Sequence, residues 1–428
     1  MISILTTLVI FSLVLIIAFR CVLSGGALSR LPELFSPGTP TMLSASPSSI
    51  PMWKVFLSAV GFRILILAAA LTSIMLLSNS DLTLQQCVQQ FQRWDALHYI
   101  NLIEKGYANY IEDGQHIFLV FFPAYVWAVR LLTCIIPNTV VAGTLFSCLC
   151  YAWGCCFVYK LAKGYFNARV ARDSLIYLSL YPFSFFYSAV MTEGLFLLTT
   201  SAACYYAWKK NWVLFSLFGF FAALTRMLGI LVVVFAVVVF IDAEKPFAFP
   251  LGNSICRTWK LHAKRIPFLI APILGTSVYL LLNYAVDGDP FAFVIHQRHW
   301  NQGFTWIAQV INYTTEYLMN NISNSLGWAV QLPTLIIFIC AIILLFVSSK
   351  RTDIPTSLLA YSLCYLIANY SLSWLLSAGR YMSCCFPLFI IMAKYSERRP
   401  FFRIVTLMIQ SIFLGIYLCA YTSGAPVM

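Results

Sequence analysis

Residues 212–241 read WVLFSLFGFFAALTRMLGILVVVFAVVVFI, an apolar run interrupted by a single charge at Arg226. A helix needs about 20 apolar residues to cross the roughly 30 Å hydrocarbon layer of a bilayer. The stretch is therefore one long span with an arginine inside it, or two shorter spans, 212–225 and 227–241, with Arg226 capping a tight hairpin. Either way it belongs in lipid, and the rest of the chain follows. The 428 residues are 61% hydrophobic and 10% charged, with mean hydropathy +0.83. Soluble domains average about 25% charged residues, which excludes a water-soluble enzyme, a disordered chain and a nucleic-acid-binding protein. Further candidate spans lie near 2–19, 53–77, 140–159, 174–189, 194–208, 266–284, 328–347, 355–376, 381–394 and 404–421. The expected fold class is an all-α polytopic membrane protein with eleven or twelve transmembrane helices.

Residues 1–20 form an N-terminal apolar segment without a basic flank in front of it, an uncleaved span or a signal peptide. A Ser/Pro/Gly-rich linker follows over 21–52, and the remaining 53–428 read as one transmembrane domain. Within it, 79–137 holds a polar loop and a proline-broken apolar segment, and 285–327 forms a second polar loop. Most of the 14 cysteines fall in apolar runs, where a thiol packs as a small hydrophobe. No Cys/His spacing suggests zinc, and no metal or other cofactor is expected.

Charge sorting gives an orientation. Placing the basic loops together puts 20 of the 27 Lys and Arg on one side, the cytosolic side by the positive-inside rule. Nine of the 15 acids, Asp95 and Glu193 among them, fall on the other. This sorting requires 117–136, with Pro123 and Pro137 at its breaks, to be re-entrant or interfacial. The sequons Asn312-Tyr-Thr and Asn321-Ile-Ser lie in the second acidic-side loop, which points to the lumen of the endoplasmic reticulum.

Five constellations bear chemistry. In the first, Arg93-Trp94-Asp95-Ala96-Leu97-His98 opens an amphipathic surface helix. Asp95 there is a solvated or arginine-paired acid, or a general base made more basic by burial among Trp94, Tyr99, Phe121 and Phe122. Phe121-Phe122-Pro123 is an interfacial helix start or the wall of a lipid groove. Glu193 follows the helix-breaking Pro182, as a helix-capping acid or a second carboxylate facing the same cavity. Arg226 and Arg380 each lie between apolar runs, snorkelling or binding a lipid-linked phosphate. Finally, Asp287 and Asp289 precede His296-Gln297-Arg298-His299-Trp300, where a divalent ion or, more naturally, a sugar finds polar and stacking partners.

Together these motifs resemble the PIG-V family, the GPI mannosyltransferase II enzymes among the multispan GT-C glycosyltransferases. Arg93-Trp94-Asp95-Ala96, Gly106-Tyr107 and Phe121-Phe122-Pro123 resemble the family's RWDA…GY…FFP block. Pro182 through Glu193, Arg226 with Gly229, Trp300-Asn-Gln-Gly-Phe, and Arg380-Tyr381 with Pro387 resemble its later elements. Met227-Leu228 stand where the family has Ser-Asn, and the first 50 residues match nothing in its pattern.

The resemblance implies a GT-C-like fold with a luminal catalytic loop in a multi-pass membrane protein of the endoplasmic reticulum. It implies transfer of mannose from dolichyl phosphate mannose to a GPI precursor glycolipid, as the second, α1,6-linked mannose. Asp95 is then the base and Glu193 the second choice. Arg226 and Arg380 are the donor-phosphate partners. Arg93, Trp94, His98, Phe122, Gln297, His299 and Trp300 are substrate contacts, and Asn312 and Asn321 are glycan acceptors. Partners are the two lipid substrates, membrane lipids and a small membrane subunit, with no nucleic acid. Another acceptor for a polyprenyl-linked sugar, a transporter and a non-catalytic subunit are the competing readings.

Overall fold

Side chains and prolines that satisfy the free amides of a first turn start many of the helices. Asn138, Asn167 and Asn211 accept hydrogen bonds from the amides of Val141, Val170 and Leu214. Pro123, Pro267 and Pro400 stand in first turns, where a missing N–H costs nothing. The computed structural model describes residues 1–27, 50–78, 82–248 and 251–427, with backbone only for 257–262, 264 and 266. Most of the expected linker, 28–49, and Asp81 lie outside the described residues.

The first part of the bundle is α1 (Ile2–Ser24), α2 (Met52–Leu77), α3 (Leu84–Phe91), α4 (Asp95–Lys105), α5 (Pro123–Thr133), α6 (Thr139–Tyr165) and α7 (Ala168–Ser179). Its middle is α8 (Glu193–Trp208), α9 (Trp212–Thr225), α10 (Val232–Glu244), α11 (Leu251–His262), α12 (Ile266–Asp287) and α13 (Ala292–His296). It closes with α14 (Ile307–Asn320), α15 (Leu332–Ser349), α16 (Thr356–Asn369), α17 (Ala378–Ser383), α18 (Phe386–Ser396) and α19 (Pro400–Thr422). Among the described residues there are two isolated bridges and no extended strand.

Seven helical stretches are long and apolar enough to span a membrane: Ile2–Ser24, Met52–Leu77, Thr139–Tyr165, Met227–Glu244, Pro267–Asp287, Gly327–Ser349 and Pro400–Thr422. Three shorter apolar helices, α9, α16 and α18, accompany them. The eleven or twelve expected spans thus map onto fewer full-length helices, because several apolar runs are broken. The 174–189 run stops as a helix at Ser179, before Pro182, and 381–394 divides into α17 and α18. The 117–136 run is a 3₁₀ turn plus the 11-residue α5, about 16 Å long, too short to cross.

The opening stretch 212–241 resolves as two elements. Arg226 is extended (φ −157°, ψ 152°) between α9 and a 3₁₀ turn leading into α10. Gly229 makes the sharp return possible: a Cβ there would lie 2.0 Å from the Ala222 carbonyl oxygen. Gly194 does the same for α8 against α6, where a Cβ would meet the Ser147 oxygen at 2.4 Å.

The N-terminal helix is part of the bundle. Arg20 donates to the carbonyls of Ser349, Arg351 and Ile354 at 2.7, 2.8 and 2.6 Å. Ion pairs gather nearby loops at the same end, Lys394 with Glu397 and Asp353, and Arg403 with Asp173. At the far end of α19, Arg93 donates to the Thr422 carbonyl at 3.0 Å.

Candidate active site

Asp95 is the first residue of α4, and the chain reaches it through a forced bend. Trp94, its predecessor, has φ 55° and ψ −128°, a conformation that costs a non-glycine residue about 1–3 kcal/mol. Neighbours hold the bend on both flanks. The Gln92 side-chain oxygen Oε1 accepts from the Val190 amide at 2.8 Å, and the Arg93 amide donates to the Tyr421 hydroxyl at 3.3 Å. Asp95 is thereby presented at a helix N-terminus, where the dipole favours a negative charge.

From Asp95 a chain of alternating charges runs into the bundle. Arg380 donates from Nη1 to Asp95 Oδ2 at 2.6 Å and from Nε to Glu193 Oε1 at 2.5 Å. Arg226 donates from Nη2 to the same Glu193 oxygen, and from Nε to Thr192 Oγ1 at 2.6 Å. The Tyr381 ring lies 5.0 Å from the Arg226 guanidinium and 5.3 Å from that of Arg380. Residues more than 280 positions apart in sequence therefore meet in one network, and the three expected groups Asp95, Arg226 and Arg380 share it.

Exposure separates the two carboxylates. The Asp95 side chain is 27% exposed, whereas Glu193 is wholly buried. Glu193, the second choice as base, sits buried between two arginines. Its side chain has no access to solvent, and proton uptake would forfeit its attraction to two guanidinium groups. It ties the two arginines together instead. Arg226 Nη1 and Glu193 Oε2 are buried without partners, so the network still has an unused donor and an unused acceptor.

A cluster of rings lies beside Asp95. His98, one turn along α4, packs 4.7 Å from Phe118 and 5.7 Å from Phe121, and its Nδ1 meets the Tyr110 hydroxyl at 3.0 Å. Burial draws the His98 imidazole below its ordinary pKa, with Asp95 opposing. Trp300 stands edge-on to Phe118 and Phe121 at 6.4 and 6.3 Å, and His299 is 4.9 Å from Trp300. His98, His299 and Trp300 are thus assembled on the Asp95 side, Trp300 half-buried and His299 exposed. Gln297 is half-buried in the turn before Trp300.

Other expected site residues are placed elsewhere. Phe122 turns away, stacked on Tyr279 at 3.8 Å in a separate buried cluster, and is a packing residue. Arg93 Nη2 is engaged by the end of α19, while its Nε is buried without a partner. Trp94 is half-buried with Nε1 unpartnered. Asn312 lies inside α14, bonded to Glu316 at 2.8 Å, with Thr314 of its sequon buried. An acceptor asparagine needs an accessible sequon, which this helix does not offer at Asn312. Asn321 caps that helix, half-buried, just before the exposed turn 322–325.

Asp287 is an ion-paired acid. It pairs with His296 at 3.0 Å and with His116 at 3.5 Å, joining the two polar loops. Among the described residues no group of three or more His, Cys, Asp or Glu side chains is arranged to hold a metal ion. Missed from the sequence were Thr192, the rings of Tyr381 and Phe118, and Arg63. Arg63 was open to detection as the one charge in the interior of the apolar 55–77 run.

Residues 122–254 match the family described as dolichyl-phosphate-mannose-protein mannosyltransferase, a segment that includes Glu193 and Arg226 but neither Asp95 nor Arg380. No protein of curated function matches the chain. Among solved structures, it is similar to the archaeal oligosaccharyltransferase AglB from Archaeoglobus fulgidus in complex with an inhibitory peptide and a dolichol-phosphate. That similarity has a TM-score of 0.41 at 14% identity, over 85% of this chain and 56% of AglB. The oligosaccharyltransferase of the same organism with Zn and sulfate gives 0.42 at 12% identity over 84% and 53%, and its apo form 0.42 at 11% over 85% and 56%. The chain spans a little over half the length of these structures.

Proposed function

We propose that this chain is an inverting GT-C-type glycosyltransferase that takes mannose from dolichyl phosphate mannose. Its acceptor is a GPI precursor in the lumen of the endoplasmic reticulum, which receives the second, α1,6-linked mannose. The observation that carries the reading is the Asp95–Arg380–Glu193–Arg226 chain, one accessible carboxylate joined to two guanidinium groups beside a cluster of rings. The family match over 122–254 supports a lipid-phosphate-linked donor.

The chemistry follows from the linkages of the proposed donor and product. A β-linked donor mannose and an α-linked product require a single displacement. The bond from C1 to the phosphate oxygen breaks as the bond from C1 to the acceptor oxygen forms, and the acceptor proton passes to Asp95. The phosphate leaves as an anion and needs no proton, but it needs fixed positive charge, which Arg226 and Arg380 supply. Arg226 Nη1, buried and without a partner, is the donor open to a phosphate oxygen. Trp300 and His299 flank the approach to Asp95 and are the acceptor-side contacts.

The test is the glycolipid that accumulates in cells lacking this protein, resolved by mannose count. A one-mannose GPI precursor, cleared when the wild-type chain is restored, is the expected result. A block at a different mannose overturns the acceptor. Unchanged lipid-linked glycans overturn the reading altogether.

A further inference from the structure

The spanning helix α2 carries a charge that the proposed reaction does not use. Arg63 lies near its middle, about 17 Å from its first residue, and is wholly buried. Its Nη1 donates to the Ser184 carbonyl at 2.5 Å, while Nε and Nη2 have no partner. Its guanidinium lies 4.3 Å from the Tyr151 ring and 5.9 Å from that of Tyr187. Among the described residues no acidic side chain forms an ion pair with it. A charge placed there at such cost by default serves the site.

What Arg63 holds is the irregular segment between α7 and α8. Backbone that leaves helical form at membrane depth survives only where protein groups satisfy it. Here side chains of other elements do so: Arg63 at Ser184, Gln92 at Val190, and Ser147 at the Met191 carbonyl, 3.3 Å away. The segment in turn grips both sides of Arg380. Tyr181 donates to the Gly379 carbonyl at 2.9 Å and Tyr187 to that of Ser383 at 2.8 Å. It ends at Thr192 and Glu193 opens α8, and both are partners of Arg226.

We infer that Arg63 is a positioning residue: it pins the 180–192 segment, and through it fixes where Arg380 and Glu193 stand relative to Asp95. It touches no reacting group. The inference rests on the transferase reading for its activity readout alone; its structural readout is independent of any activity.

The experiment compares Arg63→Met, which keeps bulk without a donor, with Arg63→Gln, which keeps a donor without charge. Amide exchange is followed in detergent, together with kcat and KM for the mannose donor. Losing a buried hydrogen bond from a charged group shortens protection by about ten- to a hundredfold. In Arg63→Met that loss is expected at 180–192, with the other spanning helices unchanged. A misplacement near 1 Å lowers turnover by about 10²-fold, so kcat falls in Met, less in Gln, and KM for the donor moves little. Tyr187→Phe, a milder change, is expected to lower kcat without a change in the protection of α2. Unaltered protection at 180–192 in Arg63→Met, or loss spread evenly over the chain, overturns the inference whatever the activity. Equal loss of kcat in Met and Gln with raised donor KM assigns Arg63 to substrate charge instead, and also overturns it. If wild type itself transfers no mannose, the function reading fails while the exchange result still decides the positioning role.

Discussion

The two carboxylates of the charged chain are expected to answer the same conservative substitution in opposite ways. Glu193→Gln removes the anion shared by Arg380, 2% exposed, and Arg226, 12% exposed. Two cations are then left in a site with little access to water. Breaking a buried pair by removing one partner costs about 3–5 kcal/mol, and Arg226 would keep no other acid in reach. Asp95→Asn leaves Arg380 still bonded to Glu193. The lost pair is also partly exposed, and such pairs contribute about 1 kcal/mol or less. Activity reverses the order of interest. Loss of a positioned base lowers rate by about 10²–10⁴-fold, so Asp95→Asn is expected to be stable and inactive. The assay is unfolding of purified protein in detergent alongside mannose transfer from dolichyl phosphate mannose. The reasoning is refuted if Asp95→Asn destabilises as much as Glu193→Gln, or if it keeps more than about a tenth of wild-type transfer.

Arg20→Met removes three charged hydrogen bonds to carbonyls at the end of α15; a loss of about 2–3 kcal/mol is expected, read as a lower unfolding midpoint with unchanged KM. His98 has its pKa held down by burial, so the unfolded imidazole takes a proton first as pH falls below about 6.5, its ordinary value. Stability is therefore lost from there towards the lower folded value, and His98→Phe is expected to flatten that part of the unfolding profile. Asn321→Gln should raise electrophoretic mobility in an expressed, glycosylated chain, whereas Asn312→Gln should leave it unchanged, because Asn312 and buried Thr314 sit inside a helix.

Apolar length and charge made the membrane class legible, since a chain with 10% charged residues leaves no soluble alternative. The number of spans was less legible. A run such as 174–189 has the composition of a span, yet Pro182 and the needs of the site turn half of it into irregular backbone. The 212–241 run was ambiguous for the same reason: composition does not say whether Arg226 continues a helix or breaks it, and only the close approach of Gly229 to Ala222 does. At the site, Asp95, Arg226 and Arg380 were visible as charges in apolar surroundings. Their pairing was not. That Glu193 binds both arginines, and that Phe122 faces Tyr279, depends on tertiary contacts between segments far apart in sequence. Arg63 is legible as a lone charge in an apolar run, but its partner, the Ser184 carbonyl 121 residues away, is not.

The pairing also constrains how an anionic donor can be received. The network contains two guanidinium groups and two carboxylates, so it is already neutral before any phosphate arrives. A donor phosphate adds a negative charge; Arg226 Nη1 offers it one donor, and a second guanidinium contact requires a carboxylate to yield its place on an arginine. Glu193 is locked between Arg226 and Arg380 and buried, while Asp95 holds Arg380 alone and is open to water. Asp95 is therefore the one displaced. Once Arg380 turns to the phosphate, Asp95 Oδ2 is released from its 2.6 Å bond and is free to accept from the acceptor hydroxyl. Donor binding and base activation are in this way a single event on the proposed pathway. The consequence is a signature that separates a base from an ordinary binding residue. Asp95→Asn removes the competitor for Arg380, so turnover falls while KM for the donor stays the same or drops. A rise in donor KM on that substitution, with turnover kept, would show that Asp95 holds the donor and that the proton goes elsewhere.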